Sequence, residues 1–435
     1  MFCTLADVRK VLTSQHKTTT QIDPITHYKS GRPGTLPLKY LNLCTIDWYY
    51  NSGVTQITSQ TTTYQFFGRQ IHKGAPNTVK LSICIPTYNR ATHLGNCLHS
   101  IYLNHPPSAL EFEVCVSDNC SEDETEQTVR ILQNRMAINY TRNASNLGRV
   151  MNYLNVVEMA TGEFIWLLGD DDFLLPSALT EIGALLMTHQ NCEFFYINSY
   201  HLNSTYVSAF PAPFDTRKHL PQGMQKFSAW PRSGQKHFMD LINPKLSFDF
   251  LGGMFLAVFR AANWRANIDN LDHQAICDPR EFSSFDNTFP HIKIFAKAFA
   301  KSQAFYCAQP LSICLSGIRE WTPLWPLVRS VRLIEAVEEY RRQGLPILSY
   351  ILCKNYALRN FLPDFAKMIL HRDSSGIKYI SPLHVLFNNI LYPNVYLSVI
   401  YLLARKILLA ITNLATILKR LTDANANEPP RNNQL

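Results

Sequence analysis

The stretch Glu163–Pro176, EFIWLLGDDDFLLP, decides the fold. An apolar run breaks abruptly into three aspartates and resumes as FLLP. A short apolar run bounded by turn residues reads as a strand buried on both faces. The same texture occurs upstream. LSICIP (Leu81–Pro86) ends in Thr87-Tyr88-Asn89-Arg90, and FEVCVSD (Phe112–Asp118) breaks at Asp118-Asn119. AINYTR (Ala137–Arg142) is a further strand candidate. Between these runs lie segments with helical spacing. THLGNCLHSIYL places Leu94, Cys97, Leu98, Ile101 and Tyr102 on one face, and SEDETEQTVRILQNR carries its acids early, where a helix N-terminus favours them. LGRVMNYLNVVEMA and, after Pro176, SALTEIGALLMTH complete the series.

Strands alternating with helices predict βαβ units, hence an α/β fold with a mostly parallel central sheet flanked by helices. In such sheets ligands bind beyond the carboxyl ends of the strands. The turns after the first and second strands and the aspartate run all fall on that edge. Three polar clusters on one rim point to a single site.

The chain has 435 residues, 46% hydrophobic and 17% charged, an ordinary globular balance with material for a large core. Its net charge of +8 suits anionic partners. The basic residues are dispersed, with no stripe of interleaved aromatics, so no nucleic-acid partner is expected. Eleven scattered cysteines, several inside apolar runs, form no CxxC pair and no zinc cluster. They fit a reducing, cytoplasmic setting. Asp7, Arg9 and Lys10 interrupt what would be the apolar stretch of a secretory leader.

Four regions are expected: an N-terminal extension at 1–76, a main domain at 77–320 (halves 77–190 and 191–320), a helical region at 321–422 and a tail at 423–435. In the second half FFYINSY is a strand candidate, and LGGMFLAVFR (Leu251–Arg260) is apolar with two glycines near its head. Residues 327–344 form a helix ending at Gly344. Val395–Ala404 and Ile407–Leu418 are apolar but split by Arg405-Lys406, and neither reaches the roughly 20 residues of a membrane span. A helix lying in a membrane interface is one reading, giving a peripheral location on the cytoplasmic face. A core-packed or dimer-forming helix is the other.

Asp170, Asp171 and Asp172 repel one another unless something positive joins them. A divalent cation bridging a diphosphate satisfies this, since Mg²⁺ takes one or two protein carboxylates and leaves other positions to phosphate and water. The alternative is a solvated turn. Asp118 can accept from a base N–H or a ribose hydroxyl; read alone, it is equally an Asx-turn or a helix cap. Tyr88 can stack on a nucleobase, and Arg142 can contact base or diphosphate or form a surface ion pair.

In order, CIPTYNR, VSDNCSED, YTRNASNLGRVMN and ATGEFIWLLGDDDFLLP resemble the nucleotide-binding half of the family 2 glycosyltransferases, which have the GT-A fold. The resemblance covers roughly residues 79–190. A fainter likeness over 194–320 is to the branch that builds O-antigen-like polysaccharides. The resemblance implies a GT-A-type nucleotide-diphospho-sugar transferase with a helical C-terminal region. Pro86, Thr87 and Tyr88 would line the base pocket, with Asp118 and Arg142 gripping the base. Asp170 and Asp171 would reach ribose and diphosphate, and Asp172 would be the leading ligand of Mg²⁺ or Mn²⁺. Asn119 stands where the family usually has an acid or Gly. The implied reaction is an inverting single displacement. It moves sugar from a nucleoside diphosphate, UDP by default, to a glycan or lipid-linked acceptor, with a membrane surface as partner through the C-terminal region. Asp286 in FDNTFPHIK would be the catalytic base, although the familiar Glu-Asp pair is missing. Asp249, Asp278 and Glu281 are alternatives, and an N-cap is the structural role for Asp286. His291 reads as structural or as a metal or phosphate contact. Arg319 would close over the donor, and Trp321 and Trp325 would stack on sugar or pack in the core. The rival enzyme, a nucleotidyltransferase, usually wants a glycine-rich basic loop that CIPTYNRAT lacks. A non-catalytic sugar- or lipid-binding relative is the third reading.

Overall fold

The computed structural model describes residues 79–104, 110–317, 320–407 and 411. The described residues all belong to the second of the chain's two units, residues 73–435. The expected extension at 1–76, the tail at 423–435 and Arg319 fall outside the described residues.

One ten-stranded sheet organises the second unit. Its strands are β1 (Leu81–Thr87), β2 (Phe112–Asp118), β3 (Ile138–Arg142), β4 (Phe164–Leu167), β5 (Phe173–Leu174), β6 (Phe194–Asn203), β7 (Gln225–Lys226), β8 (Gly234–His237), β9 (Ala257–Arg260) and β10 (Gln303–Ser316). They run in the order β3-β2-β1-β4-β9-β6-β10-β5, with β7 pairing with β6 and β8 with β10. The four expected strands of the first half are parallel neighbours. β6 and β10 add a second, longer parallel ladder. Antiparallel pairings are short, and most lie in the second half of the sequence. There the apolar run LGGMFLAVFR behaves differently from the others. Met254–Leu256 form a 3₁₀ turn, and only Ala257–Arg260 pair, antiparallel to both β4 and β6.

The helices bury the faces their spacing promised. α1 (Ala91–Tyr102) buries Leu94, Cys97, Leu98 and Ile101. α2 (Thr125–Gln133) buries Val129 and Leu132. α3 (Arg149–Glu158) follows Gly148, whose φ of 85° is a left-handed conformation natural to glycine, and buries Val150, Tyr153, Leu154 and Val157. α4 (Ala178–Thr188) starts two residues after Pro176, with Ser177 at its N-cap. α5 (Pro290–Ala298) precedes β10. Trp166, fully buried in β4, donates its indole N–H to the Phe255 carbonyl at 2.9 Å. Phe194, Phe259, Trp264, Phe295 and Phe299 pack against one another, mostly edge to face, the favoured aromatic geometry.

The helical C-terminal region shares this core. The helix expected over 327–344 contains a π-helical segment, Val328–Arg332, before α6 (Leu333–Arg342), and the chain turns at Gly344 with φ 110°. Arg332 donates to the Phe282 and Ser283 carbonyls, and Arg329 makes a two-point contact with buried Asp364. Tyr340 donates to the Phe250 carbonyl at 3.0 Å. α7 (Ile347–Ala357), α8 (Phe361–Leu370), a short helix at Pro382–Phe387 and a helical run at 393–407 complete the described part.

One close approach can be tested. A Cβ on Gly162 would lie 2.6 Å from Ser82 Oγ and 2.7 Å from the Ser82 nitrogen, where β4 begins beside β1. The backbone of a central strand cannot yield cheaply. Gly162→Ala should therefore cost about 1–3 kcal/mol in urea unfolding with an unchanged m-value. A midpoint equal to wild type would show that the strands tolerate a wider spacing.

Candidate active site

Sheet register fixes the rim. Thr87 pairs with Asp118, and Asp118 pairs with Arg142, so three expected site residues stand side by side at the carboxyl ends of β1, β2 and β3. Polar contacts then tie the turns together. The Asn119 N–H donates to the Thr87 carbonyl at 2.9 Å. Asn89, left-handed at φ 52°, donates its N–H to Ser121 Oγ and accepts from the Glu122 N–H. Asp123 accepts from the Ala91 N–H, an otherwise orphaned donor at the start of α1. Asn152, buried on α3, donates to the Thr87 and Ser117 carbonyls and accepts from Ser117 Oγ.

Within this frame Asp118 is fully buried. It accepts from the Ser121 N–H at 2.9 Å and the Tyr140 hydroxyl at 2.7 Å, and Arg142 Nε lies 3.7 Å away. The Asx-turn is therefore realised, and the carboxylate holds Arg142 and Tyr140 in place. Burial, then the bond to Asp118, raises the Tyr140 phenol above its ordinary range. Arg142 is partly exposed and also donates to the Ser121 carbonyl. Tyr88 is 40% exposed, Pro86 half-buried and Thr87 buried.

The aspartates follow β4 as a turn, closed by the Asp172 N–H donating to the Gly169 carbonyl at 3.1 Å. Asp170 accepts from Thr87 Oγ1 at 2.8 Å and from Arg90 at 3.2 Å. Asp171 lies 3.3 Å from the same Arg90 nitrogen, and the other terminal nitrogen reaches Glu320 at 3.4 Å. Asp172 is 3% exposed and accepts from the Gly169 N–H at 2.8 Å, whereas the Asp171 side chain is 22% exposed. Asp172, expected as the leading metal ligand, thus faces into the turn, and Asp171 is its outward member. The tight turn explains this, because its last residue folds back on its first. Burial, then Asp171, pushes Asp170 up to about 7 against the pull of Arg90. Burial and Asp171 also raise Asp172.

These groups fit a divalent cation. Three carboxylates, Asp170, Asp171 and Glu320, share one guanidinium, which leaves a surplus of negative charge at the rim. Among the described residues no group of three His, Cys, Asp or Glu side chains forms a closed metal cage. An ion here would rely on one or two carboxylates and on the substrate's phosphates, as Mg²⁺ commonly does.

Downstream, Asp286 is buried and accepts at 2.6 Å from both the Asp272 N–H and Lys293 Nζ. The N-cap of the short helix Phe285–Thr288 is Ser284, which accepts from the Asn287 N–H. This segment docks on α3, where Arg149 donates to the Asn287 carbonyl at 2.9 Å. Asp249, half-buried, accepts from Ser247 Oγ and the Gly253 N–H, and desolvation raises it. Arg280 holds Asp278 down at about 2. Glu281 is exposed. His291 Nε2 lies 3.2 Å from the Leu251 and Gly252 carbonyls, and burial lowers it to about 4. That neutral ring pins the turn before β9 and is structural. Trp321 packs edge-on against Phe282 and lies 5.6 Å from Trp325, so these indoles belong to an aromatic cluster.

Arg90, Asn152 and Tyr140 emerge only from the structure. Arg90 had a signal in the charge balance, since three aspartates after β4 require a cation from the neighbouring strand's turn. Asn152 and Tyr140 had none, because their partners are remote in sequence.

The buried carboxyls give a pH dependence. Unfolded Asp170 releases its proton near 3.8, whereas the folded group holds it to about 7. Between these values the folded state binds the extra proton, so raising the pH destabilises it. Stability measured by urea unfolding should fall from about pH 4 to about pH 7, and Asp170→Asn should flatten that fall. An unchanged slope in the variant would assign the effect elsewhere.

Residues 82–251 match the family description "Glycosyl transferase family 2". Abequosyltransferase RfbV of Salmonella typhimurium is 40% identical over 115 residues, covering 26% of this chain and 33% of that protein. Poly(ribitol-phosphate) beta-N-acetylglucosaminyltransferase TarS of Staphylococcus aureus is 31% identical over 114 residues, 26% of this chain and 20% of that protein. The matches thus span a third or less of these relatives' lengths. Two solved structures are similar in outline. S. aureus TarS 1-349 with UDP-GlcNAc gives a TM-score of 0.43 at 17% identity, covering 69% of this chain and 89% of that one. The mannosyltransferase PcManGT from Pyrobaculum calidifontis, with GDP-Man and Mn²⁺, gives 0.41 at 15%, covering 75% and 85%. The likeness to glycosyltransferase family 2 is carried by residues 82–251, less than half of the chain.

Proposed function

We propose that the chain transfers a sugar from a nucleoside diphosphate to a hydroxyl of a glycan or lipid-linked acceptor, by single displacement with inversion at the anomeric carbon. The observation that carries this is the rim itself. An outward Tyr88 and Arg142 stand beside a turn of three aspartates with more negative charge than Arg90 balances. The names of relatives support the class. One is an abequosyltransferase, and a Campylobacter jejuni protein, 36% identical over 105 residues, is named as a glucosyltransferase acting on a GalNAc(5)-diNAcBac-PP-undecaprenol.

In this reading Tyr88 stacks on the base, and Arg142, oriented by Asp118, contacts it or the diphosphate. Thr87 holds Asp170 towards the ribose. Asp171 at the tip of its turn is the first ligand for Mg²⁺ or Mn²⁺, with Asp172 holding the turn closed. When bound, the ion supplies positive charge to the leaving diphosphate. Asp286 accepts the acceptor hydroxyl's proton as that oxygen attacks, and Lys293 fixes its carboxylate.

Thermal stabilisation by UDP, TDP, GDP and CDP, with and without Mn²⁺, tests the donor site. One diphosphate at about a hundred times its dissociation constant should add roughly 2.7 kcal/mol. Asp171→Asn should lose the metal-dependent part. If no diphosphate stabilises the protein under any condition, the reading fails. Products separate the enzyme classes: a glycoside and free nucleoside diphosphate support transfer, whereas pyrophosphate identifies a nucleotidyltransferase.

The base has its own test. Asp286→Asn should lower kcat about 10²–10⁴-fold while leaving nucleotide stabilisation intact. Retention of kcat would remove Asp286 from the mechanism.

A further inference from the structure

The exposed apolar surface is concentrated at one end of the chain. Of 22 large hydrophobic side chains exposed among the described residues, 18 lie between Ile347 and Ile411. Scattered singly, such residues need no explanation; gathered like this, they mark a contact surface. The pattern follows helix geometry. In the helical run 393–407, Tyr396, Ile400, Leu403 and Ile407 recur at helical spacing and all are exposed. Just before it, Leu383 and Phe387 lie about one turn apart on the short helix Pro382–Phe387, and Leu391, in the turn that follows, is 91% exposed. Their outward positions are those that a water-facing helix fills with charge. Yet residues 379–404 contain no Asp, Glu, Lys or Arg at all.

This segment is joined to the folded body. Asn394 donates its backbone N–H to Asn355 Oδ1 and its side-chain amide to the Asn355 carbonyl on α7, and Ser398 Oγ accepts from the Leu362 N–H on α8. α7 and α8 add exposed Leu348, Leu352 and Leu370. No helix among the described residues is long and apolar enough to cross a membrane.

Charge identifies the occupant. Residues 345–411 hold seven Lys and Arg against two Asp. Lys367, Arg372, Lys378, Arg405 and Lys406 are exposed. Of the acids, Asp364 is buried against Arg329, which leaves Asp373 as the exposed one. Lys378 borders the uncharged stretch on one side and Arg405-Lys406 on the other. A second copy docking face to face would bring like charges together. An anionic lipid surface meets both demands, with acyl chains for the leucines and phosphate head groups for the basic border.

We propose that the face built from residues 383–407, with the outward leucines of α7 and α8, docks in the plane of an anionic lipid leaflet without crossing it. This does not rest on the transfer reaction, since binding to lipid requires neither donor nor acceptor.

The test is flotation of the full chain with vesicles of phosphatidylcholine alone and of phosphatidylcholine mixed with phosphatidylglycerol. Wild type should float with the mixed vesicles, less so as salt rises, and weakly with phosphatidylcholine alone. The triple variant Leu383→Glu, Phe387→Glu, Leu391→Glu should stay in solution. Arg405→Ser with Lys406→Ser should lower the affinity for mixed vesicles roughly thirtyfold and flatten the salt dependence. An unchanged far-UV circular dichroism spectrum and thermal midpoint would show that each variant folds. Failure of wild type to float, or a triple variant that floats like wild type, overturns the proposal. So does a wild type that stays with the supernatant as a dimer while the triple variant is monomeric, which would make the face an interface between copies.

Discussion

The placement of Arg90 between Asp170 and Asp171 is the interaction on which the site depends. Neighbouring carboxylates at the end of a buried strand are unfavourable, because like charges at about 4 Å repel by roughly 4 kcal/mol at an effective dielectric of 20. Burial adds to that cost, as the raised Asp170 and Asp172 show. Parallel pairing of β1 with β4 resolves part of it. The turn that leaves β1 must then run beside the turn that leaves β4, and Arg90 sits in that first turn, between Thr87 at the end of β1 and the start of α1. One guanidinium answers two carboxylates and reaches Glu320, so the aspartates can be held ready with charge to spare.

That arrangement needs a stiff rim, and the polar side chains of the turns provide it. Thr87 is gripped from three sides: Asn119 and Asn152 donate to its carbonyl, and its hydroxyl donates to Asp170. Asn89 and Asp123 tie the first turn to the second and cap α1. These contacts cross from one βα unit to the next. A change at Asn152, far from the aspartates in sequence, would be felt at Asp170 through Thr87. Buried, fully bonded networks of this kind specify one geometry, because a partial rearrangement leaves polar groups unsatisfied.

Much of this was legible in the residues. Periodicity placed β1 to β4 and α1 to α4 with ends off by a few residues, because each apolar run is bounded by turn formers and each helix buries a single stripe. The rim followed from the rule that strand ends collect ligands. Other features were hidden for physical reasons. An apolar run such as LGGMFLAVFR carries no mark of strand direction, so the antiparallel entry of β9 came only from the chain's path. The π-helical segment at Val328–Arg332 lies within a sequence whose helical spacing is unbroken. Asp118 could be read as ligand or as Asx-turn, and the structure uses it for the turn and for Arg142. For Asp286 the sequence suggested an acid before a helix. It could not show that Ser284 takes the cap and Lys293 the carboxylate.

The aspartate triplet shows most sharply what sequence alone leaves open. Three identical residues in a row are chemically indistinguishable until a turn sorts them. Here Gly169 and Asp172 close the turn twice, once through the Asp172 N–H and once through its carboxylate on the Gly169 N–H. A Cβ at Gly169 would come within 2.8 Å of Asp171 Oδ1 and 3.0 Å of Asp172 Oδ2, so a side chain there would shift these carboxylates from their present positions. Asp170 is drawn inward by Thr87. Asp171 is left at the tip, paired with Arg90 and open to solvent on its other side. In the proposed reading, a hard cation arriving with phosphate ligands would meet that carboxylate first. Since Arg90 already balances part of the charge, the ion would compete with the guanidinium for Asp171 and not for Asp172, whose carboxylate holds the turn together.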